Sequence, residues 1–248
     1  MSMMPKPSVI EECGVTALVR ACNSEATLRY CLEALARESA ISKIIVVDNG
    51  STDQTLHIAE SFGALIVKYP DLMPYNYSRA IHLGLNKVTT PYVFIVSSHV
   101  ILLHPETVSR LLHLVELSKA CGGYCFGERF EVIPDLKDED PSLRFQTVDE
   151  KNFDGHNALR NHASLIPTEL LRERPFREDL PACEDMEWAC WHYKNTGKCT
   201  VALHSPPVAY CNPRLNPWKD MRDRVVIAQN LMPEWQSLRH IFKRVKAT

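Results

Sequence analysis

What this 248-residue chain lacks already narrows its roles. No apolar run is long enough to span a bilayer, and residues 1–10 lack the apolar core of a signal peptide, so a cytoplasmic protein is expected. Charge of one sign is not in excess: 28 basic against 30 acidic residues leave a net of -2, which removes the bulk electrostatic case for a nucleic-acid partner. The nine cysteines show no paired zinc-type spacing, and their odd number argues against a complete disulfide framework. They are expected to be reduced and mostly small core residues. The Gly-x-Gly-x-x-Gly turn of dinucleotide-binding enzymes does not follow the first strand, which speaks against a nicotinamide-dependent oxidoreductase. There is no internal repeat.

What is present is an alternation of strand and helix. Residues 15–19 read as a strand, 26–37 as a helix, 44–47 as a strand, 54–62 as a helix, 64–68 as a strand, 77–86 as a helix and 92–96 as a strand. Residues 105–120 follow as a long helix opened by Pro105. Leu28, Cys31, Leu32 and Leu35 recur at the spacing that lines one helical face. Residues 44–47 (Ile-Ile-Val-Val) are β-branched and free of polar interruption, as in a buried parallel strand. Strands separated by helices imply parallel βαβ units. Beyond Cys121 the rhythm changes: Gly122-Gly123 leads into a strand over 124–133 and a mixed, more antiparallel part. Residues 134–141 read as a charged surface loop. One domain in two halves is expected: about 13–120 for a nucleotide, about 121–212 for an acceptor and catalysis, with 213–248 as lid and helical tail.

Ligands of open α/β sheets bind beyond the carboxyl ends of the strands. Four polar stations fall there: Arg20-Ala-Cys-Asn-Ser-Glu25, Asp48-Asn-Gly-Ser-Thr-Asp53, Asn76-Tyr-Ser-Arg79 with His82 and Gly84, and Ser97-Ser-His99. A fifth, Cys183-Glu-Asp185, opens a late helix. Each has a bland reading. Asp48 ends a strand, Asp53 caps a helix, Arg79 is a solvated helix charge, and Glu184 and Asp185 favour the positive end of a helix dipole.

The order and spacing of these stations resemble the inverting family 2 glycosyltransferases, which use nucleotide sugars, over residues 15–210. The resemblance implies an α/β, GT-A (Rossmann-like) domain with a mostly parallel central sheet flanked by helices and a smaller mixed part on the acceptor side. It puts Ala21, Asn23, Glu25, Asp48, Asn49, Ser51, Arg79 and Ser98 at the nucleotide, with Asp48 accepting from a base N–H or a ribose hydroxyl. Ala21 lacks the hydroxyl of the family's threonine, which leaves backbone contacts there, and His82 replaces an asparagine. Arg79 is expected on the diphosphate, for which a guanidinium fork is well shaped. The main departure is Ser97-Ser98-His99, where most relatives carry Asp-x-Asp; a Ser-x-His version accompanies an arginine at the place of Arg20. A divalent metal, Mn2+ or Mg2+, is then implied at His99, with Cys211 or His204 as substitute second ligand. Imidazole suits manganese better than magnesium. The alternative is that His99 contacts phosphate or nothing.

The resemblance makes a carboxylate of Glu184-Asp185 the general base, assigned to Asp185, with Glu184 orienting it or meeting the acceptor. A sugar hydroxyl is a poor nucleophile near neutral pH and needs such a group. The implied reaction moves a sugar from a UDP- or dTDP-sugar to a glycan, glycolipid or small-molecule acceptor, with inversion, in polysaccharide, glycolipid or cell-envelope synthesis. His156, Asn157, Asn161 and His162 fall where relatives build the acceptor pocket, and loop polarity explains them equally. Cys183, Trp188 and Trp191 read as core. Residues 212–218 read as a lid. Residues 237–246 read as an amphipathic basic helix, for packing in the domain or a homodimer, or for peripheral membrane contact. The rival reading, favoured by the missing acidic pair at Ser97 and His99, is a catalytically degenerate glycosyltransferase-fold binding subunit.

Overall fold

The computed structural model describes residues 14–130, 132, 134, 142–154 and 157–211. His156, the charged loop except Pro134, the lid at 212–218 and the basic helix at 237–246 lie outside the described residues. The first part alternates as the apolar periodicity dictates: β1 (Val15–Ala21), α1 (Leu28–Ala36), β2 (Ile41–Asp48), α2 (Thr55–Ser61), β3 (Leu65–Lys68), α3 (Tyr77–Leu85) and β4 (Tyr92–Ser97). There follow β5 (Val100–Leu102), α4 (Thr107–Leu117), β6 (Gly122–Arg129), β7 (Arg144–Val148), β8 (Ala163–Pro167), α5 (Thr168–Glu173), α6 (Glu184–Thr196) and β9 (Thr200–Tyr210). The strand expected to reach residue 133 ends at Arg129.

The nine strands among the described residues form one mixed sheet, in the order β3-β2-β1-β4-β8-β6-β9-β5, with β7 pairing β9. It is mostly parallel in sense. Strands β1 to β4, β6 and β9 run one way, and β5, β7 and β8 run the other. Alternation along the strands separates two cores. Val15, Ala17 and Val19 of β1, with Phe94 and Val96 of β4, pack with α1, α2 and α4. Leu18, Val93 and Ile95 face the other way, onto α3, α5 and α6. The four apolar residues predicted to line α1 are all buried. None of the described cysteines forms a disulfide. Burial pushes the Cys31, Cys121 and Cys190 thiols up to about 12, which suits core residues rather than nucleophiles.

These directions decide where a site can form. The carboxyl ends of β1, β2, β4, β6 and β9 and the amino end of β8 lie on one edge. Every polar station read from the sequence follows one of those ends or packs against it. Among the described residues, no helix is long and apolar enough to cross a membrane.

Candidate active site

The loops after β1 and β2 bind each other. Asn23 turns its chain in the left-handed region (φ 45°) and accepts Thr52 N–H on Oδ1 at 2.8 Å, while its own N–H donates to Ser51 Oγ at 2.9 Å. Glu25 Oε2 accepts Gln54 N–H at 3.1 Å, and Glu25 N–H returns the bond to Asp53 Oδ2 at 3.1 Å. Burial alone would raise Asp53, but bonds from Thr55 and Glu25 outweigh it and hold the carboxyl below its ordinary range. Asp48 is buried and accepts the N–H groups of Gly50 and Ser51, closing the turn that Gly50 makes at φ 72°. Asn49 N–H reaches Ala21 O at 3.0 Å. Ser24 and Ser98 share a hydroxyl bond of 2.8 Å, and Ser98 N–H donates to Arg20 O at 3.2 Å. The side chains of Asn23, Glu25 and Asp48 are thus already engaged in shaping the rim.

Arg79 lies in the first turn of α3, whose start is capped by Asn76 Oδ1 accepting Arg79 N–H at 2.9 Å. Its guanidinium is paired with Glu178, through Nε at 2.9 Å and Nη2 at 2.7 Å. Glu178 also meets His82 Nδ1 at 3.0 Å, and Asn76 Nδ2 and Ser78 Oγ donate to the carbonyls of Glu178 and Arg177. The segment leading to α6 is therefore strapped to α3. Glu178 went unnoticed in the sequence because its partners lie about a hundred positions away.

Between these loops sits Arg20, one residue before the end of β1. Its Nη2 donates to Asn161 O at 2.8 Å and to Ser97 Oγ at 3.2 Å, and its guanidinium lies 5.4 Å from the Tyr77 ring centre. Tyr77, Tyr75 and Tyr69 continue as a run of ring contacts at 5.1 and 5.4 Å. On the far side, Asn161 N–H donates to Asp185 Oδ2 at 2.7 Å, Asn161 Nδ2 to Glu184 Oε1 at 3.3 Å, and Ser164 Oγ to Asn161 Oδ1 at 3.0 Å. Asp185 Oδ1 also accepts Met186 N–H at 2.8 Å. The residue is partly exposed, yet protein crowds its carboxylate. Burial first, then the charge of Glu184, push Asp185 up to about 7; its hydrogen bonds and Arg20 act the other way. Cys183, just before this pair, is held in the left-handed region at φ 60°, a conformation that costs a β-carbon residue energy and fixes how α6 starts. Asp185 thus reaches the edge that carries Asp48.

His99 accepts Cys211 N–H on its carbonyl at 2.9 Å, and its ring meets Tyr210 edge-on at 4.8 Å. His162 Nε2 donates to Cys125 O at 3.1 Å. Burial first, then the charge of Arg160, lower its pKa to about 3, so it is a neutral ring. His204 lies against Phe126 (5.4 Å) in a cavity of about 360 Å3, lined also by Glu128, Arg144, Phe145 and Gln146. Among the described residues, no three His, Cys, Asp or Glu side chains come together to hold a metal. A divalent metal at His99 therefore stays a proposal, and no step below is assigned to one. Trp188 is fully buried, as expected of core, whereas Trp191 is partly exposed beneath Arg174, 4.7 Å from its ring centre.

The mostly parallel sheet between helical layers, with polar loops gathered at its strand ends, has the architecture of the GT-A fold. Residues 16–165 match Glycosyl transferase family 2, and the chain belongs to that family. Over 107 residues it is 27% identical to the 4,4'-diaponeurosporenoate glycosyltransferase of Staphylococcus aureus, a match covering 42% of this chain and 28% of that protein. The chain thus spans little more than a quarter of that curated relative. Among solved structures it is similar to S. aureus TarS 1-349 in complex with UDP, at TM-score 0.63 and 18% identity over 88% of this chain and 65% of that one. It is also similar to glucosyl-3-phosphoglycerate synthase from Mycobacterium tuberculosis, solved with Mn2+, UDP and glucosyl-3-phosphoglycerate, at TM-score 0.59 and 18% identity over 94% and 86% of the two chains. At these identities the likeness is one of fold.

Proposed function

We propose that this protein transfers a sugar from a nucleotide diphosphate sugar, UDP- or dTDP-linked, to an acceptor hydroxyl with inversion at the anomeric carbon. The acceptor is a glycan, glycolipid or small molecule, within polysaccharide, glycolipid or cell-envelope synthesis. The observation that carries this reading is Asp185: a partly exposed residue whose crowded carboxylate lies on the same sheet edge as Asp48, linked to it through Asn161, Arg20 and β1. Asp185 takes the proton of the acceptor hydroxyl. The freed oxygen attacks the anomeric carbon, the bond from that carbon to the diphosphate oxygen breaks on the opposite face, and the diphosphate leaves with the electron pair. A single displacement of this kind inverts the centre. A base with a pKa raised towards neutrality is well matched to this transfer. Arg79 receives the leaving diphosphate after giving up Glu178, and the clasped loops after β1 and β2, with Ala21, Asn49 and Ser51, form the nucleotide rim. In this reading the two halves of one domain meet where β8 pairs β4 and where β5 pairs β9.

The test is a screen of nucleotide sugars for nucleotide release, repeated on Asp185→Asn. Acceptor-dependent turnover should fall by roughly 10^2 to 10^4, the usual contribution of a general base. Undiminished turnover removes Asp185 from the reaction. The binding-subunit reading draws on the missing acidic pair at Ser97 and His99. It predicts that wild type binds UDP in calorimetry yet releases no nucleotide from any donor.

A further inference from the structure

Arg20 stands where both halves of the site touch it. In β1 it lies opposite Val47 on one side and Ser97 on the other, so its backbone belongs to the nucleotide half. Its side chain crosses to the acceptor half and ends on Asn161 O, 141 positions along the chain. Asn161 is buried, and every polar group named around it is engaged: its carbonyl by Arg20, its N–H by Asp185, its amide by Glu184 and Ser164. Remove the guanidinium and the carbonyl loses its anchor, while the residue that holds Asp185 gains freedom to tilt. We propose that Arg20 is the positioning residue for Asp185: through Asn161 it fixes the direction of the carboxylate that takes the acceptor proton. This rests on the reading of Asp185 as the base.

Charge adds a second effect. The groups that act on Asp185 are Glu184 beside it on α6, the N–H groups of Asn161 and Met186, and Arg20 from β1. Arg20 therefore opposes both burial and Glu184 and favours the ionised form. A forked guanidinium supplies direction and charge together; an ammonium supplies charge without the fork. Arg20 also lies between Tyr77 and Ser97, a placement that keeps its head from swinging toward solvent.

Arg20→Gln and Arg20→Lys separate these effects. For Arg20→Gln, kcat should fall about 10- to 100-fold, as expected when a catalytic group is misplaced. The KM for the donor should stay within about twofold, and the acid limb of the pH–rate profile should move to higher pH. For Arg20→Lys, kcat should fall about fivefold or more while the acid limb stays near that of wild type. If Arg20→Gln does not fold, the lysine variant carries the test alone, and wild-type kcat in it overturns the proposal. A rise in donor KM at unchanged kcat also overturns it, because Arg20 then serves the donor. So does a lowered kcat in Arg20→Gln with an unmoved acid limb, the mark of a strut without influence on the base. Full activity in Asp185→Asn is a different failure: it removes the base, not only its support.

Discussion

Arg79 and Glu178 are 99 positions apart in sequence and in contact in space, and their pairing changes what an approaching diphosphate meets. The guanidinium fork is already matched by a carboxylate, so an anionic ligand has to exchange with it. Both side chains are partly exposed, at 29% and 37%, which weakens the pair by solvent screening and leaves the exchange accessible. Glu178→Gln removes the competing charge and keeps an oxygen able to accept from Arg79. The dissociation constant for UDP in calorimetry should therefore tighten roughly two- to fivefold, the scale of an exposed ion pair. Weaker binding would mean that Glu178 matters as the strap on α3 through His82 and Arg79, and that Arg79 does not serve the diphosphate. The sequence offered Arg79 as a phosphate ligand and said nothing of Glu178. A residue's counter-charge is set by how the chain returns, which local spacing does not encode.

Gly84 belongs to the α3 motif that carried part of the family resemblance, and packing explains why the residue there is small. A β-carbon on Gly84 would lie 2.7 Å from Leu18 Cδ1 and 2.9 Å from Val47 Cγ2, inside contact distance of β1 and β2 next to Arg20 and Asp48. Alanine is the better helix former by up to about 1 kcal/mol, but overpacking costs about 1–3 kcal/mol. Gly84→Ala should therefore destabilise the protein by about 1–2 kcal/mol in denaturant unfolding; a stabilised variant would show that α3 lifts off the sheet freely. The same physics decides which elements are readable. β1 to β4 and α1 to α4 announce themselves through continuous apolar runs and one-sided helical spacing. β9 does not, because Pro206 and Pro207 interrupt it, and prolines weaken any reading as a strand. The ladder tolerates them by a register break: Cys125 pairs Leu203, but Gly127 pairs Val208. β7 is mostly exposed, and β5 has only three residues. The start of α6 was legible from its acidic pair. The left-handed Cys183 before it was not, since no glycine marks the place.

Across the molecule, the described carboxylate expected to govern stability against pH lies between α1 and α4. Glu38 is buried after α1, and its Oε1 accepts Val108 N–H at 2.9 Å, so it caps α4 from another element. Burial pushes its pKa up to about 8 against the bonds from Val108, Ser109 and Thr107. A carboxyl raised on folding binds its proton more tightly in the native state than in the unfolded chain. Its contribution is complete below the unfolded value near 4.5 and is lost as pH rises towards about 8. Asp185, also raised, has the same sign over a lower range. Asp53, Glu178 and Asp179 are lowered and have the opposite sign, lost only on acidification, so between pH 5 and 8 they change little. Burial lowers His162 to about 3 and His192 to about 4, and both favour the higher pH, so from pH 5 to pH 8 wild type should lose less stability than Glu38 and Asp185 alone would remove. Glu38→Gln keeps an acceptor for Val108 but cannot ionise, so its loss over that range should be smaller by on the order of 2–4 kcal/mol. Urea midpoints at the two pH values, with m-values checked for constancy, measure the difference directly. Equal losses in both proteins would mean that Glu38 ionises in the native state as readily as in the unfolded chain. The cap on α4 would then be held by a solvated charge rather than by a buried acid joining two helices of one layer.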